Sequence, residues 1–444
     1  MFPNVLFIMV DAFRADHCWG SGRRCRTPVL DELIRKSTIF ARAFSTASMT
    51  TCCTASILTG SYPFIHGIRS LADRRLRSDI PTLPEVFRDH GYYTWAEVTG
   101  PLMPITGLNR GFDRYNHREY LQWLDTEWGD IFLNQLIRGF SSPWFGFLHL
   151  WELHYPRRVM PGFDSPEFGQ NAYERAVSSL DGQLGRLLDA LPHNTIVVLT
   201  GDHGEYVSGS SGGHIIGRLK RPFKWLKKHV PGAKKLRRLS PVVFARVDKF
   251  SGRNNDLYFN WIGHGYHVYD YLVNVPVVLY APGLFPSGFK VDRLVSHVDL
   301  FPTLISSLDF SDVEVRFLSG IDLMPSLRMF SADYHDRSVY LEASGGRTTP
   351  SAEQWLAGIR TDRYKYVRGL INETLPEELY DLEKDPDEQS NIADQFPDVI
   401  EIMRGRLSVL MQSAERFVLE DDSAYSTDEI ARLQDRLRDL GYLN

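Results

Sequence analysis

One short segment of this chain of 444 residues places a hydroxyl side chain where an anionic group is expected to bind. Residues 50–67 read TTCCTASILTGSYPFIHG, and Thr50 opens an apolar stretch that ends at Gly60, which is typical of a short helix. The amides and the macrodipole of a helix N-terminus favour negative charge, so a nucleophile at Thr50 is placed to receive a sulfuryl or phosphoryl group. The alternative is that Thr50 only caps the helix.

Acidic residues and a histidine that suit a divalent cation follow two apolar runs. Asp202 and His203 come directly after a predicted strand in the sequence VVLTGDHGE, and Asp11 follows the apolar run at residues 5–10. Two carboxylates and one imidazole bind a divalent metal and leave positions open for a nucleophile and a substrate. An Asp-His pair in a loop also occurs without a metal, and that alternative stays open.

Histidine-bearing loops supply the candidates for acid and base catalysis. His154 ends the sequence FLHLWELH before a Tyr-Pro pair, and His264 is the second residue of GHGYHVYD, directly after a glycine. Both lie in loops bounded by Gly or Pro, where functional side chains concentrate. His149 alternates within a predicted strand, so we expect it in the core. His66 and Arg14 are weaker candidates for the catalytic set.

The elements that must position these residues alternate between strand and helix patterns. The continuous apolar run at 5–10 is typical of a strand buried on both faces of a parallel sheet. Further strand and helix patterns follow in alternation at residues 27–36, 40–44, 56–58, 83–87, 92–98, 144–149, 173–191 and 195–200. This order predicts an α/β fold with a doubly wound, mostly parallel sheet, in which ligands bind beyond the carboxyl ends of the strands.

The character of the sequence changes near residue 316. Shorter strand patterns follow, and a Ser-Thr-Asp-Glu capping box at residues 426–429 opens a terminal helix. We therefore predict a catalytic domain at 1–315 and a smaller α+β subdomain at 316–444 that ends in a helix.

These motifs, in this order, resemble the sulfatase family of the alkaline phosphatase superfamily over nearly the whole chain. The matching segments are DAFRADH, TASILTGSYPFIHG, TGDHGE, SHVDLFPTL, GIRTDRYKYV, ELYDLEKDPDEQSNIAD and LRDLGYLN. The resemblance implies an alkaline-phosphatase-like fold and a hydrolase of sulfate or phosphate esters. It also implies a calcium, manganese or magnesium site formed by Asp11, Thr50, Asp202 and His203, with His154 and His264 at the ester oxygens.

Two positions depart from the pattern that the resemblance sets. The family nucleophile, a cysteine converted to formylglycine, stands ten residues before the glycine of LTG, and that position is Thr50 here. Neither Cys52 nor Cys53 begins the Cys-x-Pro-x-Arg sequence that conversion requires, so formylglycine is not expected. Ala12 replaces the usual second aspartate. The resemblance therefore shifts toward members with a threonine nucleophile, including phosphodiesterases and phosphotransferases.

Three functional hypotheses remain open from the sequence. The first is a metal-dependent, sulfatase-like hydrolase that uses Thr50 on sulfate or phosphate esters of a glycan or lipid. Threonine lacks the second hydroxyl by which a formylglycine hydrate eliminates sulfate, and this favours phosphorus substrates. The second is a phosphodiesterase or phosphotransferase with a second metal on Glu152, His154 and His264. The third is an inactive sulfatase-like binding protein.

Charge is unevenly distributed along the chain. The formal net charge is −5, which argues against nucleic acid as the main partner. An insertion at about 206–258 contains a basic segment, residues 218–253, with 13 basic residues and one acidic residue. Such a segment is expected to contact an anionic membrane surface or an acidic glycan, and a solvated loop is the alternative.

Location and assembly are less constrained by the sequence. The N-terminus lacks the features of a signal peptide, and no apolar stretch is long enough to span a membrane. The four cysteines include an adjacent pair, which argues against a disulfide framework. We expect a cytoplasmic protein that is peripheral to the membrane through its basic segment, and the oligomeric state stays open.

Overall fold

The computed structural model describes most of the chain. The described residues are 2–20, 22–207, 264–310, 313, 317–329, 336–412 and 424–440. The basic segment at 218–253, and all but the first two residues of the predicted insertion, lie outside them. The boundary predicted between residues 315 and 316 also falls outside them and stays a prediction.

A mixed sheet carries the predicted strands at its centre. Its eight strands within the described residues are β1 (Asn4–Val10), β2 (Thr38–Phe44), β3 (Tyr93–Val98), β4 (Arg114–His117), β5 (Trp144–Leu150), β6 (Thr195–Gly201), β7 (Asn274–Tyr280) and β8 (Phe289–Ser296). They are ordered β4-β3-β5-β1-β6-β7-β2-β8. Only β7 runs antiparallel to its neighbours among these strands. The prediction of a mostly parallel sheet is confirmed.

Apolar side chains of β1 alternate between two cores, one on each face of the sheet. Val5, Phe7 and Met9 pack into the core that contains Ile57, while Leu6, Ile8 and Val10 pack into the other. All seven residues of β1 are buried, as expected for a central strand covered on both faces. The doubly wound fold class is therefore confirmed.

Helices cover both faces of the sheet. Those in the described residues are α1 (Pro28–Arg35), α2 (Thr50–Thr59), α3 (Pro63–His66), α4 (Leu83–Asp89), α5 (Glu127–Arg138), α6 (Ala172–Asp189), α7 (Asp270–Val273), α8 (Leu300–Ser307), α9 (Met324–Met329), α10 (Pro397–Gln412) and α11 (Thr427–Asp439). Not one helix in this part of the chain has the length and apolar character needed to cross a bilayer. The predicted cytoplasmic location stays a prediction.

A smaller antiparallel sheet follows, as the sequence predicts. Its strands, in the order β12-β11-β10-β9, are β9 (Val339–Ala343), β10 (Leu356–Arg360), β11 (Tyr364–Gly369) and β12 (Glu378–Asp381). Helix α10 packs Met403 and Leu407 against Tyr366 of this sheet. At α11 the predicted capping box is present, because Ser426 accepts the amide of Glu429.

The helix that begins at Thr50 ends at a residue that must be glycine. Gly60 has φ +64°, and an added Cβ would overlap Leu318 and lie 2.9 Å from the Cβ of Phe301. Its carbonyl also accepts the amides of Ser319 and Gly320 at 2.8 and 3.2 Å. The end of α2 is thereby fixed against the segment that follows α8.

We expect Gly60→Ala to destabilise the protein more than Gly91→Ala. The left-handed conformation alone costs an alanine about 1–2 kcal/mol, and both glycines have positive φ. Only Gly60 adds steric overlap, because the space around Gly91 is open. Urea denaturation of both variants measures the difference in the free energy of unfolding. Equal losses would show that Gly60 is not tightly packed.

Candidate active site

The sheet brings two acidic residues together at the carboxyl ends of neighbouring strands. Strands β1 and β6 pair in parallel, with Val10 opposite Gly201, so the chain leaves both strands at the same edge. The next residues are Asp11 and Asp202, and the amide of Asp202 donates to the carbonyl of Val10 at 3.2 Å. Both carboxylates are fully buried.

Helix α2 places Thr50 against these carboxylates. The N-cap residue is Met49, and Thr50 is the first residue of the helix. The hydroxyl of Thr50 donates to Asp11 Oδ2 at 3.0 Å, and its Oγ1 lies 3.3 Å from His203 Nε2. Thr50 therefore does not cap the helix, because the N-cap is Met49 and the hydroxyl of Thr50 contacts Asp11 and His203 instead.

The two carboxylates need positive charge to be ionised together. Burial, followed by the charge of Asp202, raises the pKa of Asp11 well above its usual value. Burial opposes the ionisation of Asp202 as well, but the charges that His203 and His149 carry when they are protonated hold its pKa below the usual value. Among the described residues, Asp11 Oδ1 and Asp202 Oδ2 have no hydrogen-bond partner. A cation would satisfy both oxygens.

Asp11, Asp202 and His203 form a donor set that fits a divalent metal. Their ligand atoms all lie within 4.8 Å of one another. His203 Nδ1 lies 2.8 Å from the carbonyl of Gly204, which can only accept, so Nδ1 carries the hydrogen and neutral Nε2 offers a lone pair. That Nε2 lies 3.3 Å from Asp202 Oδ2. The residues present therefore fit the group that the resemblance implies.

Ala12 occupies a strained position beside the cluster. Its φ is +58°, a conformation that few non-glycine residues adopt. Its amide donates to Asp202 Oδ1 at 2.9 Å, and its carbonyl accepts from the hydroxyl of Tyr173 at 2.6 Å. The backbone is thus clamped, while the methyl group supplies no ligand where the resemblance places a second aspartate.

Two further histidines lie above the cluster. The rings of His264 and His203 are 4.3 Å apart between centroids, and those of His264 and His154 are 5.7 Å apart. His154 Nδ1 donates to the carbonyl of Tyr155 at 2.7 Å. Burial lowers the pKa of His154 to about 3, so this ring is neutral near pH 7.

Glu205 orients His264. Burial alone would raise the pKa of Glu205, but the charge of His264 and the hydrogen bond between them hold it at about 2. The carboxylate is ionised at neutral pH and can only accept, so His264 Nδ1, at 3.4 Å from Oε2, carries the hydrogen. Nε2 of His264 is then the ring nitrogen that Glu205 leaves available.

The sequence reasoning missed two residues of the site. Glu205 is the last residue of the quoted Asp-His-Gly-Glu sequence, and its position after the strand could have marked it. His149 was expected in the core and is indeed fully buried, but its Nε2 lies 3.4 Å from Asp11 Oδ2. Only the order of the strands, with β5 beside β1, shows this proximity.

Two predicted residues, His66 and Arg14, are bonded elsewhere. His66 Nδ1 accepts the amide of Ile68, and its Nε2 lies 3.0 Å from Ser56 Oγ. Arg14 donates to Asp16 at 2.6 Å and to the carbonyl of Glu205 at 3.1 Å. These contacts tie α2 to α3 and fix the backbone of Glu205.

The residues predicted to hold a second metal, Glu152, His154 and His264, are not grouped as a metal site in the described part of the chain. Glu152 accepts the amide of Leu124 at 2.9 Å. Within the described part of the chain, the group with the geometry of a metal site is the one formed by Asp11, Asp202 and His203.

Comparisons with protein families match nearly the whole chain. The sulfatase family model matches residues 3–310. A second model, N-sulphoglucosamine sulphohydrolase, C-terminal, matches residues 260–413. The two models therefore cover the larger sheet and the smaller sheet in turn.

Individual relatives agree with the family. The chain is 25% identical over 437 residues to the Delta 4,5-hexuronate-2-O-sulfatase of Bacteroides thetaiotaomicron, with 88% of this chain and 84% of that protein covered. It is 35% identical over 130 residues to arylsulfatase K of Danio rerio, which covers 28% of this chain and 23% of that protein.

Solved structures share the fold. The phosphonate monoester hydrolase of Agrobacterium radiobacter has a TM-score of 0.68 at 19% identity, over 93% of this chain and 96% of that chain. A 2-O GAG sulfatase has a TM-score of 0.66 at 19% identity, over 97% and 96%. Since the sulfatase model spans more than half of the sequence, this chain belongs to the sulfatase family, a family of sulfuric ester hydrolases.

Proposed function

We propose that this chain is a metal-dependent hydrolase in which Thr50 attacks the sulfate ester of an anionic glycan. The observation that carries the proposal is the position of Thr50 Oγ1, which lies 3.0 Å from Asp11 Oδ2 and 3.3 Å from His203 Nε2. A hydroxyl in this position, at a helix N-terminus and beside two buried carboxylates, is suited to attack a group that is itself anionic.

The first step transfers the sulfuryl group from the substrate to Thr50. The hydroxyl of Thr50 already donates a hydrogen bond to Asp11 Oδ2, so Asp11 accepts the proton as Oγ1 attacks sulfur. A divalent cation held by Asp11, Asp202 and His203 would stabilise the alkoxide and the transferring oxygens as a Lewis acid. The backbone amides at the start of α2 stabilise the same negative charge.

The leaving alcohol needs a proton, and His264 is placed to supply it. Glu205 keeps hydrogen on Nδ1, so a proton on Nε2 is the one available for transfer to the ester oxygen. In the second step the same nitrogen, now without that proton, accepts a proton from the water that attacks sulfur. Asp11 returns its proton to Thr50 Oγ1 as the bond between Oγ1 and sulfur breaks and sulfate leaves. His154 is neutral near pH 7 and contributes a hydrogen-bonding nitrogen beside this path.

The substrate class follows from charge and from the relatives. The relative that matches most of this chain is named for a 2-O-sulfate on a hexuronate, an acidic sugar. The sequence of residues 218–253 holds 13 basic residues, which complement an acidic glycan. The retained Asp11, Thr50, Asp202 and His203 argue against an inactive binding protein.

Phosphate or phosphonate ester hydrolysis is the second candidate function. It is favoured by Thr50 itself, because a sulfated threonine has no second hydroxyl to expel the sulfate and must wait for water to attack sulfur. A phosphorylated threonine is opened by water or by an alcohol at phosphorus. A phosphonate monoester hydrolase also shares the fold.

Substitution of Thr50 tests the nucleophile. We expect Thr50→Ala to lower kcat by at least about 10³-fold, because no other oxygen stands at 3.0 Å from Asp11 Oδ2 on this helix. Thr50→Ser keeps the hydroxyl and is expected to retain turnover within about 100-fold. Turnover is measured with a sulfated unsaturated disaccharide, an aryl sulfate and a bis-aryl phosphodiester in the presence of Mn²⁺, Mg²⁺ or Ca²⁺.

Thr51→Ala is the matched control for that experiment. Thr51 is equally buried and helical, but its hydroxyl donates to the carbonyl of Leu71 at 3.3 Å. Activity lost in Thr51→Ala and kept in Thr50→Ala would contradict the assignment. Turnover of the diester alone would replace the first candidate function by the second.

A comparison of two substrates that differ in their leaving group tests the role of His264. We expect His264→Ala to lower kcat/KM, which reports the first step alone, by about 10²–10⁴-fold on an alkyl ester, whose alkoxide needs a proton. On the matching 4-nitrophenyl ester the loss should be below about tenfold, because nitrophenolate leaves without one. Glu205→Gln should show the same pattern with smaller losses. Equal losses on both esters would show that His264 does not protonate the leaving group.

A further inference from the structure

We propose that His149 is a further ligand of the metal and takes the place of the carboxylate that Ala12 lacks. The inference rests on the proposed function, because it assumes a cation on Asp11, Asp202 and His203. It makes the site a set of two carboxylates and two imidazoles.

The register of the sheet directs His149 toward the cluster. His149 pairs with Met9 across the parallel strands β5 and β1, so the two side chains lie on the same face of the sheet. Asp11 is two residues beyond Met9 and continues that face. Arg118, itself buried, donates to the carbonyl of His149 at 2.5 Å and fixes the end of β5.

His149 is fully buried, and its Nε2 has no hydrogen-bond partner among the described residues. An imidazole nitrogen in such a place costs free energy unless something binds it. The nearest acidic atom is Asp11 Oδ2, at 3.4 Å. The unpartnered nitrogen thus lies beside Asp11, and Asp11 Oδ1 and Asp202 Oδ2 are unpartnered as well.

The spacing between neighbouring donor atoms in this site is that of adjacent ligands around one ion. Two donors bound at about 2.1 Å to the same cation stand about 3.0–3.4 Å apart, for octahedral and tetrahedral angles respectively. Four pairs of neighbouring donor atoms fall in this range. They are Thr50 Oγ1 and Asp11 Oδ2 at 3.0 Å, Thr50 Oγ1 and His203 Nε2 at 3.3 Å, His203 Nε2 and Asp202 Oδ2 at 3.3 Å, and Asp11 Oδ2 and His149 Nε2 at 3.4 Å.

The donor chemistry then selects the metal. Calcium, magnesium and manganese prefer oxygen ligands, whereas imidazole nitrogen favours the later first-row transition ions such as cobalt, nickel and zinc. With Ala12 where the resemblance places a carboxylate, and with His149 as a ligand, the site has one oxygen donor fewer and one nitrogen donor more than the resemblance implies. We infer that this chain binds a transition ion in preference to calcium.

The test measures metal affinity without using activity. Chelator competition gives the dissociation constants of Co²⁺, Mn²⁺ and Ca²⁺ for the whole chain and its variants. We expect His149→Gln to weaken Co²⁺ binding at least about tenfold and to change Ca²⁺ binding less than about threefold. Adding Ala12→Asp to His149→Gln should strengthen Ca²⁺ binding, because it restores a carboxylate.

The matched control is His297→Gln. His297 is also fully buried and close to Asp202, but its Nε2 lies 3.2 Å from Thr200 Oγ1, a partner of its own. Its substitution should leave Co²⁺ and Ca²⁺ affinity unchanged. If His149→Gln binds Co²⁺ as tightly as the unmodified chain does, the inference is overturned and the proposed function stands. If the unmodified chain binds none of the three cations, both fail.

A measurement on the unmodified chain covers the case in which His149→Gln does not fold. In the proton NMR spectrum of the Co²⁺-loaded protein, each ligating imidazole contributes a hyperfine-shifted N–H signal that exchanges with solvent. We expect two such signals, one from His203 and one from His149. A single signal would overturn the proposal.

Discussion

The structure is organised around two buried carboxylates that share one edge of a sheet. Asp11 and Asp202 come side by side because β1 and β6 are neighbours in parallel register, and each is fully removed from water. Such a pair is unfavourable unless a positive charge offsets it. In the proposed mechanism the pair lies at the N-terminus of α2, where the same positive surroundings favour an anionic substrate beside Thr50.

The surrounding backbone leaves little freedom for this arrangement to relax. A Cβ on Gly201 would overlap the carbonyl oxygen of Phe13, and a Cβ on Gly204 would overlap that of Tyr271. The strained conformation of Ala12 is held from both sides, by Tyr173 and by Asp202. Strain of this kind persists only where the neighbouring structure enforces it.

The smaller sheet contributes to the site through the loop that carries His264. The amide of Gly345 donates to the carbonyl of Gly265 at 3.1 Å, and His267 Nε2 lies 3.1 Å from Glu378 Oε2. At the end of this loop, Asp270 pairs with the fully buried Lys365 of β11. The smaller sheet thereby helps to position His264, the proposed proton donor.

Sequence patterns were sufficient for the features that depend on local chemistry. The apolar run before Asp11, the strand before Asp202 and the helix between Thr50 and Gly60 follow from hydrophobic periodicity and turn residues, and the structure contains all of them. The resemblance added the family, which the family model confirms.

The features that could not be predicted from the sequence depend on which strands are neighbours. His149 alternates like a core residue, and only the placement of β5 beside β1 brings it to Asp11. The bonds of His66 and Arg14 likewise depend on tertiary partners, Ser56 and the backbone of Glu205, that no spacing in the sequence indicates. The basic segment at 218–253 lies outside the described residues, so its predicted contacts stay predictions.

The central claim, that a divalent cation offsets the charge of Asp11 and Asp202, is tested most directly by metal-linked unfolding. In excess chelator, the raised pKa of Asp11 means that the folded state keeps a proton that the unfolded state loses above about pH 4. The free energy of unfolding should then fall as the pH rises above that value, until the folded carboxyl also ionises. A cation at 100 times its dissociation constant should add about 2.7 kcal/mol.

Asp202→Asn provides the comparison, because its side-chain carbonyl can still accept the amides of Ala12 and His203 while the negative charge is removed. The account predicts that this variant is at least as stable as the unmodified chain in chelator and gains nothing from the cation. A variant that is less stable in chelator, yet gains as much from the cation as the unmodified chain does, would contradict it.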